Sequence, residues 1–318
     1  MSKDILFVCT GNTCRSPMAE AIFNSLSEVK AQSAGISVGI PSGAAKNACI
    51  AVEKYGASLE NHISTQLTVE DLAEYKLILT MTSSQRDMLR SYVNEDKIMT
   101  LSEFSGEDGE VSDPYGGSLE LYEKTAEQIR NYILCGIVRN SKCVFAENSD
   151  LDTIVEMEKE YFADSWSENS VKLQIENQKV IVIKFGEIIL GYCIFMVAAD
   201  EGEILRIATR KNIRKAGLGK KLLTSVVNEM KESGVGDVFL EVRAGNESAI
   251  ALYKSIGFSE IGIRKGYYKD NDEDAKLFKL ATVFSMIPFS VLIPAYSCRS
   301  NISRLAGVAN LSRASLSL

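Results

Sequence analysis

The sequence predicts an α/β protein made of two unrelated domains. Three observations carry this reading: apolar strand-like runs alternate with helical patterns, the alternation restarts near residue 140, and no internal repeat links the halves. A chain of 318 residues has the length that two ordinary domains need. Its 46% hydrophobic and 24% charged residues are typical of globular proteins and exclude disordered and collagen-like classes.

Residues 5–9 (ILFVC) form a continuous apolar run, as a strand buried on both faces of a parallel sheet requires. A polar turn over 10–15 follows, and Ser16-Pro17 opens a helix reaching about Leu26, proline being suited to the first helical position. The pattern then predicts a strand over 31–35, a helix over 44–55, a strand over 77–81 and a helix over 83–92. A short strand over 98–101 and a helix over 119–133 complete this part. A linker is expected across 136–142, giving domains over 1–138 and 143–281 and a tail over 282–318. The second domain begins with a helix over 151–162 and a hairpin of strands over 172–185 and 188–198. A strand over 203–208 leads through residues 214–219 into a helix ending near Ser233, followed by a strand over 238–242 and a helix over 247–256. Strands over 258–264 and 276–280 close it.

Charge and rare residues narrow the chemistry. Twelve basic residues face 19 acidic ones up to Arg139, 20 face 23 from there to Ala281, and 3 face none beyond. Neither domain has the basic excess of a general nucleic-acid binder, so no nucleic-acid partner is expected. His62 is the single histidine, which excludes two-histidine zinc sites, facial triads and a Ser-His-Asp triad with a histidine to spare. No metal is expected. Seven cysteines at irregular spacing, with no signal core at the start, argue for a reducing cytoplasm rather than a disulfide framework. The apolar run over 283–295 is too short for a membrane span and is broken by Pro288 and Pro294, so no membrane partner is expected.

The octet Cys9-Thr10-Gly11-Asn12-Thr13-Cys14-Arg15-Ser16 joins a strand to a helix with a thiol at one end and a guanidinium at the other. Loop amides and a helix N-terminus cradle a tetrahedral dianion. The same field, with Arg15 and the Ser16 hydroxyl, is expected to keep Cys9 a thiolate at neutral pH, ready for in-line attack on phosphorus. Arg15 can hold two phosphoryl oxygens through its planar fork, and Asp113-Pro114-Tyr115 supplies a proton donor on a stiff turn beside an aromatic wall. A lone cysteine at a strand end is more often a small buried hydrophobe; the company of Arg15, Ser16-Pro17 and Asp113 reverses that.

These motifs (CTGNTCRSPMAEA, QSAG at 32–35, Met81-Thr82 and DPYGGS at 113–118) resemble low-molecular-weight protein phosphatases, most closely the protein-arginine-phosphatase branch. The resemblance covers residues 4 to about 135. It implies a parallel-sheet fold, a phosphorylated protein substrate, Cys9 as nucleophile, Arg15 as phosphate binder and Asp113 as general acid and then base. Residues 10–16 would bind the phosphate, Asn12 and Ser16 shaping the loop. Thr13 carries the substrate argument: tyrosine-specific relatives commonly have isoleucine there, and threonine narrows the wall that grips a phenyl ring. A tyrosine phosphatase with a drifted Thr13 is the alternative, and Tyr115 serves both substrate classes. Arsenate reductase chemistry is discounted because no cysteine lies between Cys49 and Cys135. Cys14 is either a reversible disulfide partner for Cys9 or a packed thiol.

In the second domain, Arg214-Lys215-Ala216-Gly217-Leu218-Gly219-Lys220 follows a strand and opens a long amphipathic helix. Glycines let the backbone approach an anion at the helix start, and the basic flanks suit the pyrophosphate of coenzyme A. The dinucleotide fingerprint G-x-G-x-x-G is incomplete at Leu222. With Trp166-Ser167, Glu203-Ile204-Leu205, EVRAGN at 241–246, residues 249–258 (AIALYKSIGF) and Tyr267-Tyr268, the stretch from about 144 to 280 resembles GNAT ribosomal-protein-alanine N-acetyltransferases. The resemblance implies a GNAT mixed-sheet fold, acetyl-CoA as cosubstrate and a ribosomal protein N-terminus as partner. It implies coenzyme contacts at Ile207, Ala208, Thr209, Lys215 through Lys220 and Asn246, with Glu241 as general base and Tyr253 as general acid. The chain departs from that family at Arg210-Lys211-Asn212, where an Asp-Pro turn is usual, and the extra charge is expected near the coenzyme phosphates. Residues 289–296 faintly resemble the opening strand of glycosyltransferases with nothing to complete it, so a vestigial or frame-shifted tail is expected. A bifunctional enzyme is the main reading; the competing one makes one domain a targeting module without activity.

Overall fold

The computed structural model describes residues 3–282, which form two compact units parting between Asn140 and Ser141. The tail over 283–318 lies outside the described residues, so the expectations placed on it do as well.

The first unit contains β1 (Lys3–Cys9), α1 (Arg15–Leu26), β2 (Ala31–Gly35), α2 (Lys46–Glu53), α3 (Val69–Glu74) and β3 (Tyr75–Thr80). It continues with α4 (Ser83–Leu89), β4 (Ile98–Thr100), α5 (Leu101–Ser105) and α6 (Leu119–Asn140). Its four strands run parallel in the order β2-β1-β3-β4. The chain moves from β1 to one side and then crosses to the other, so β1 ends at a topological switch point where open α/β sheets bind ligands. Cys9, the last residue of β1, stands there beside Gly35 at the end of β2.

Two features depart from the sequence reading. The linker expected across 136–142 is absent: α6 runs on to Asn140, because its buried stripe of Ile129, Ile133 and Ile137 continues at helical spacing. Gly136 is a point of close approach rather than a break, since a Cβ there would overlap the Phe104 ring. Gly136→Ala should therefore destabilise this unit by about 2 kcal/mol through overpacking, despite alanine's better helix propensity. Chemical denaturation of the full chain checks it. The short helices α3 and α5 also escaped, although each carries a capping box, Thr68 with Asp71 and Thr100 with Glu103.

The second unit contains β5 (Lys142–Phe145), α7 (Leu151–Tyr161), α8 (Glu168–Glu176), β6 (Val180–Phe185), β7 (Ile188–Ala198) and β8 (Glu201–Thr209). Then come α9 (Leu218–Glu232), β9 (Asp237–Arg243), α10 (Glu247–Ile256), β10 (Ser259–Tyr268) and β11 (Glu273–Ala281). Seven strands pair in the order β10-β11-β9-β8-β7-β6-β5, and among them only β8 and β9 run parallel. Residues 172–176, expected as strand, belong to α8. Ser167 caps that helix through the Ser170 amide, and Val171 and Ile175 bury one face at i,i+4 spacing.

Arg206 of β8, fully buried, holds the loop between α7 and α8 in place. Its Nη2 donates to the Asp164 carbonyl at 2.9 Å, and its guanidinium stacks 4.4 Å from the Phe162 ring centroid. The equally buried Glu158 accepts from Tyr192 Oη and, at 2.9 Å, from the Trp166 amide. These buried charges are paired and hydrogen-bonded, as a dry interior requires.

Candidate active sites

The loop after β1 is shaped by Asn12, whose φ of 54° lies in the left-handed region that asparagine tolerates. Its buried amide Nδ2 donates to Ser16 Oγ at 2.9 Å and Ser33 Oγ at 2.8 Å, while Oδ1 accepts from the Thr65 amide at 2.8 Å. His62 Nε2 lies 2.8 Å from the Asn12 carbonyl oxygen. A carbonyl only accepts, so Nε2 carries the proton, and the chain's single histidine serves loop geometry. Gly35 closes the arrangement: a Cβ there would sit 2.8 Å from the Thr10 carbonyl oxygen and 2.6 Å from Val38.

Within this frame Cys9 Sγ lies 3.0 Å from Ser16 Oγ. Arg15 opens α1, and its Nη2 donates to Asp113 Oδ2 at 2.6 Å. Asp113 is itself oriented by the Tyr115 amide, which donates to Oδ1 at 3.2 Å, and the Tyr115 ring stands 81% exposed. Cys9, Thr10, Gly11, Thr13, Cys14, Arg15, Asp113 and Tyr115 line one cleft of about 280 Å³. Of the predicted phosphate-binding set, Asn12 and Ser16 brace the loop from beneath. Thr10 Oγ1 accepts from Gln85 Nε2 at 3.1 Å, and the Thr13 carbonyl accepts from the Ala45 amide at 2.8 Å. The cleft thus presents a thiol, a guanidinium and a carboxylate around a space with a helix N-terminus at its floor, the equipment for attack on a bound oxyanion.

Cys14 Sγ lies 3.2 Å from Tyr122 Oη, and burial, then that contact, push the Tyr122 hydroxyl well above its ordinary range. The six cysteines among the described residues are free thiols. Sequence reasoning missed Glu20, which accepts from Ser33 Oγ at 2.6 Å and extends the Asn12 web; burial raises its carboxyl. Its position one turn beyond Ser16 on α1 was the available signal.

In the second unit the parallel ladder between β8 and β9 ends at Ile204 and Leu240, although β8 continues to Thr209 and β9 to Arg243. Beyond those residues the two strands no longer pair, and β8 carries Ile207, Ala208 and Thr209 there. A bulge at Leu205 accompanies it, where pairing to β7 shifts between Ile204 and Arg206. The turn into α9 needs its glycines for two reasons. Gly217 has φ 99°, while a Cβ on Gly219 would come within 3.2 Å of Leu252 on α10. With Lys215 also at positive φ, residues 215–220 wrap the start of α9. Glycine turn, helix N-terminus and the β8 edge that β9 leaves unpaired fit the pyrophosphate and extended arm of a coenzyme A thioester.

Arg210 and Lys211 do not extend that charge as expected. Arg210 Nε donates to the Ile189 carbonyl at 2.7 Å, and Lys211 Nζ pairs with Glu160 at 3.0 Å, so both side chains serve local packing. Arg214 donates to the Thr209 carbonyl at 3.3 Å and stacks on Tyr161, and burial lowers its pKa. Asn246 caps α10, its Oδ1 accepting from the Ala249 amide at 3.2 Å.

Glu241 and Tyr253 occupy opposite faces of the sheet. Glu241 pairs across β11 with Leu277, whereas Tyr253 packs 6.3 Å from Phe278, the next residue along that strand. A base on one face and an acid on the other suit a transfer in which the nucleophile enters from one side and the leaving group departs on the other. Glu241 Oε1 accepts from Arg264 Nη1 at 2.7 Å. Arg264 had not been singled out from the sequence.

A family model described as low molecular weight phosphotyrosine protein phosphatase matches residues 4–134, and one described as the acetyltransferase (GNAT) family matches residues 151–258. A protein-arginine-phosphatase of Bacillus subtilis is 39% identical over 41% of this chain and 91% of its own length. A low molecular weight protein-tyrosine-phosphatase of Staphylococcus aureus is also 39% identical, over 41% of this chain and 94% of its own. For the second unit, a ribosomal protein bS18-alanine N-acetyltransferase of Escherichia coli is 36% identical over 42% of this chain and 93% of its own. Among the described residues no cluster suited to a metal ion occurs, and no helix is long and apolar enough to cross a membrane.

Proposed function

The chain belongs to the low molecular weight phosphotyrosine protein phosphatase family in its first part and to the GNAT acetyltransferase family in its second, and from that premise we propose a bifunctional enzyme. In this reading the first unit hydrolyses phosphoarginine in proteins, and the second acetylates the N-terminal alanine of a ribosomal protein, both in the cytoplasm. The observation that carries the phosphatase assignment is the single cleft holding Cys9, Arg15 and Asp113.

Cys9 attacks phosphorus in line with the P–N bond, Arg15 and the loop amides hold the phosphoryl oxygens, and Asp113 protonates the departing guanidine nitrogen. Water activated by Asp113 then cleaves the cysteinyl phosphate, returning the thiol and releasing phosphate. Thr13 lines this cleft, and its shorter side chain favours a planar, donor-rich phosphoguanidinium over a phenyl ring. Thr13→Ile is expected to shift the phosphoarginine to phosphotyrosine ratio of kcat/KM about tenfold toward phosphotyrosine. An unchanged ratio in a side-by-side assay favours the second reading, a tyrosine phosphatase, which the Staphylococcus relative supports.

In the acetyltransferase, Glu241 takes a proton from the incoming α-ammonium and the freed amine attacks the thioester carbonyl. The C–S bond then breaks, Tyr253 protonates the departing thiolate, and the second proton shed by the acylated nitrogen passes through solvent to restore Tyr253. An α-amine has a reference pKa near 8 against about 10.4 for lysine, so deprotonating it at neutral pH costs less. The relative from Escherichia coli supports the ribosomal substrate.

A further inference from the structure

The face of the sheet that carries Glu241 also carries a second carboxylate. Strand register places Met196 beside Glu203, Glu203 beside Phe239, and Glu241 beside Leu277, with Arg264 facing Ala275 on the same side. Glu203, Glu241 and Arg264 line a cleft of about 280 Å³ with Met196, Phe239 and Leu277 as apolar walls. Arg264, half exposed, sits against Tyr267 and holds Glu241. Glu203 is half-buried, and among the described residues no hydrogen bond or ion pair engages it. Burial and the Glu241 carboxylate raise its pKa, and the Arg264 charge offsets part of that. The cleft therefore already holds one tethered cation beside three carboxylates, Glu201, Glu203 and Glu241, and it favours the arrival of another.

We propose that Glu203 docks the α-ammonium of the incoming N-terminus, and that Arg264 is the displaceable counter-ion keeping the same place before substrate arrives. An ammonium has three donors, enough to reach Glu203 and Glu241 together. When it displaces Arg264, the guanidinium can move outward along its exposed stem, leaving Glu241 facing the proton it must remove. Glu203 thus fixes the amine while Glu241 changes its protonation. The inference rests on the acetyltransferase reading above.

The test uses the full chain, acetyl-CoA and a short synthetic peptide beginning with a free alanine. Glu203→Gln should raise the peptide KM about tenfold or more, the loss of one charge-assisted hydrogen bond, with kcat and the acetyl-CoA KM held within about twofold. Glu203→Asp should restore part of the lost affinity. Arg264→Gln should act in the opposite direction and lower the peptide KM by up to about fivefold, since it removes a competing surface cation. An unchanged peptide KM in both Glu203 variants, or a raised one in Arg264→Gln, would overturn the docking inference while the wild-type enzyme acetylates normally. If the wild type transfers no acetyl group to the peptide, the proposed function itself fails, and the inference with it.

Discussion

Cys9→Ser is expected to lower phosphatase turnover on the order of 10⁴-fold or more while leaving the cleft able to bind phosphate and vanadate. A serine hydroxyl at the end of β1 keeps the contact with Ser16, yet it is a far weaker nucleophile than a thiolate without a base beside it. His62 cannot supply that base, because its Nε2 is committed to the Asn12 carbonyl. Oxyanion binding depends instead on Arg15, the loop amides and the start of α1, none of which the substitution touches. Phosphate release and vanadate-dependent thermal stabilisation, measured on the same preparation, check both halves. Wild-type turnover in the variant would remove the thiolate mechanism.

Glu241→Gln is expected to slow acetyl transfer by about 10²-fold or more at neutral pH, the usual contribution of a positioned general base. The loss should shrink as pH rises through about 8, because the peptide α-amine then deprotonates in water. Tyr253 lies on the opposite face of the sheet and is unaffected, so acetyl-CoA should bind as before. Initial rates against pH, with wild type in parallel, check this; a pH-independent deficit would assign Glu241 a structural task.

Much of this was legible in the sequence, and the reasons differ between the two units. The run ILFVC, the proline-started helix and the fixed spacing of the Cys9 loop are local signals, and they placed β1, α1 and the loop between them. The parallel sheet of the first unit followed from the order of elements, and the mixed sheet of the second from the GNAT resemblance. What failed depended on long-range contacts. The linker expected across 136–142 is helix, and Gly136 within it makes room for the Phe104 ring from α5. Residues 172–176 looked strand-like because their polar and apolar residues alternate, but burial of Val171 and Ile175 on one side selects a helix. Arg210 and Lys211 carried a charge argument that their partners Ile189 and Glu160 absorb. Arg264 and Glu203 lie far apart in sequence, and only the register of β8, β9, β11 and β10 brings them to Glu241.

The most direct test is a single reaction followed by mass spectrometry. The full chain is incubated with acetyl-CoA and one synthetic peptide bearing a free N-terminal alanine, an internal lysine, a phosphoarginine and a phosphotyrosine. The proposed bifunctional enzyme removes phosphate from the arginine first and adds an acetyl group to the N-terminal nitrogen, leaving phosphotyrosine and lysine largely unchanged. Faster loss of phosphate from tyrosine, acetylation mainly on the lysine, or absence of either modification would contradict it.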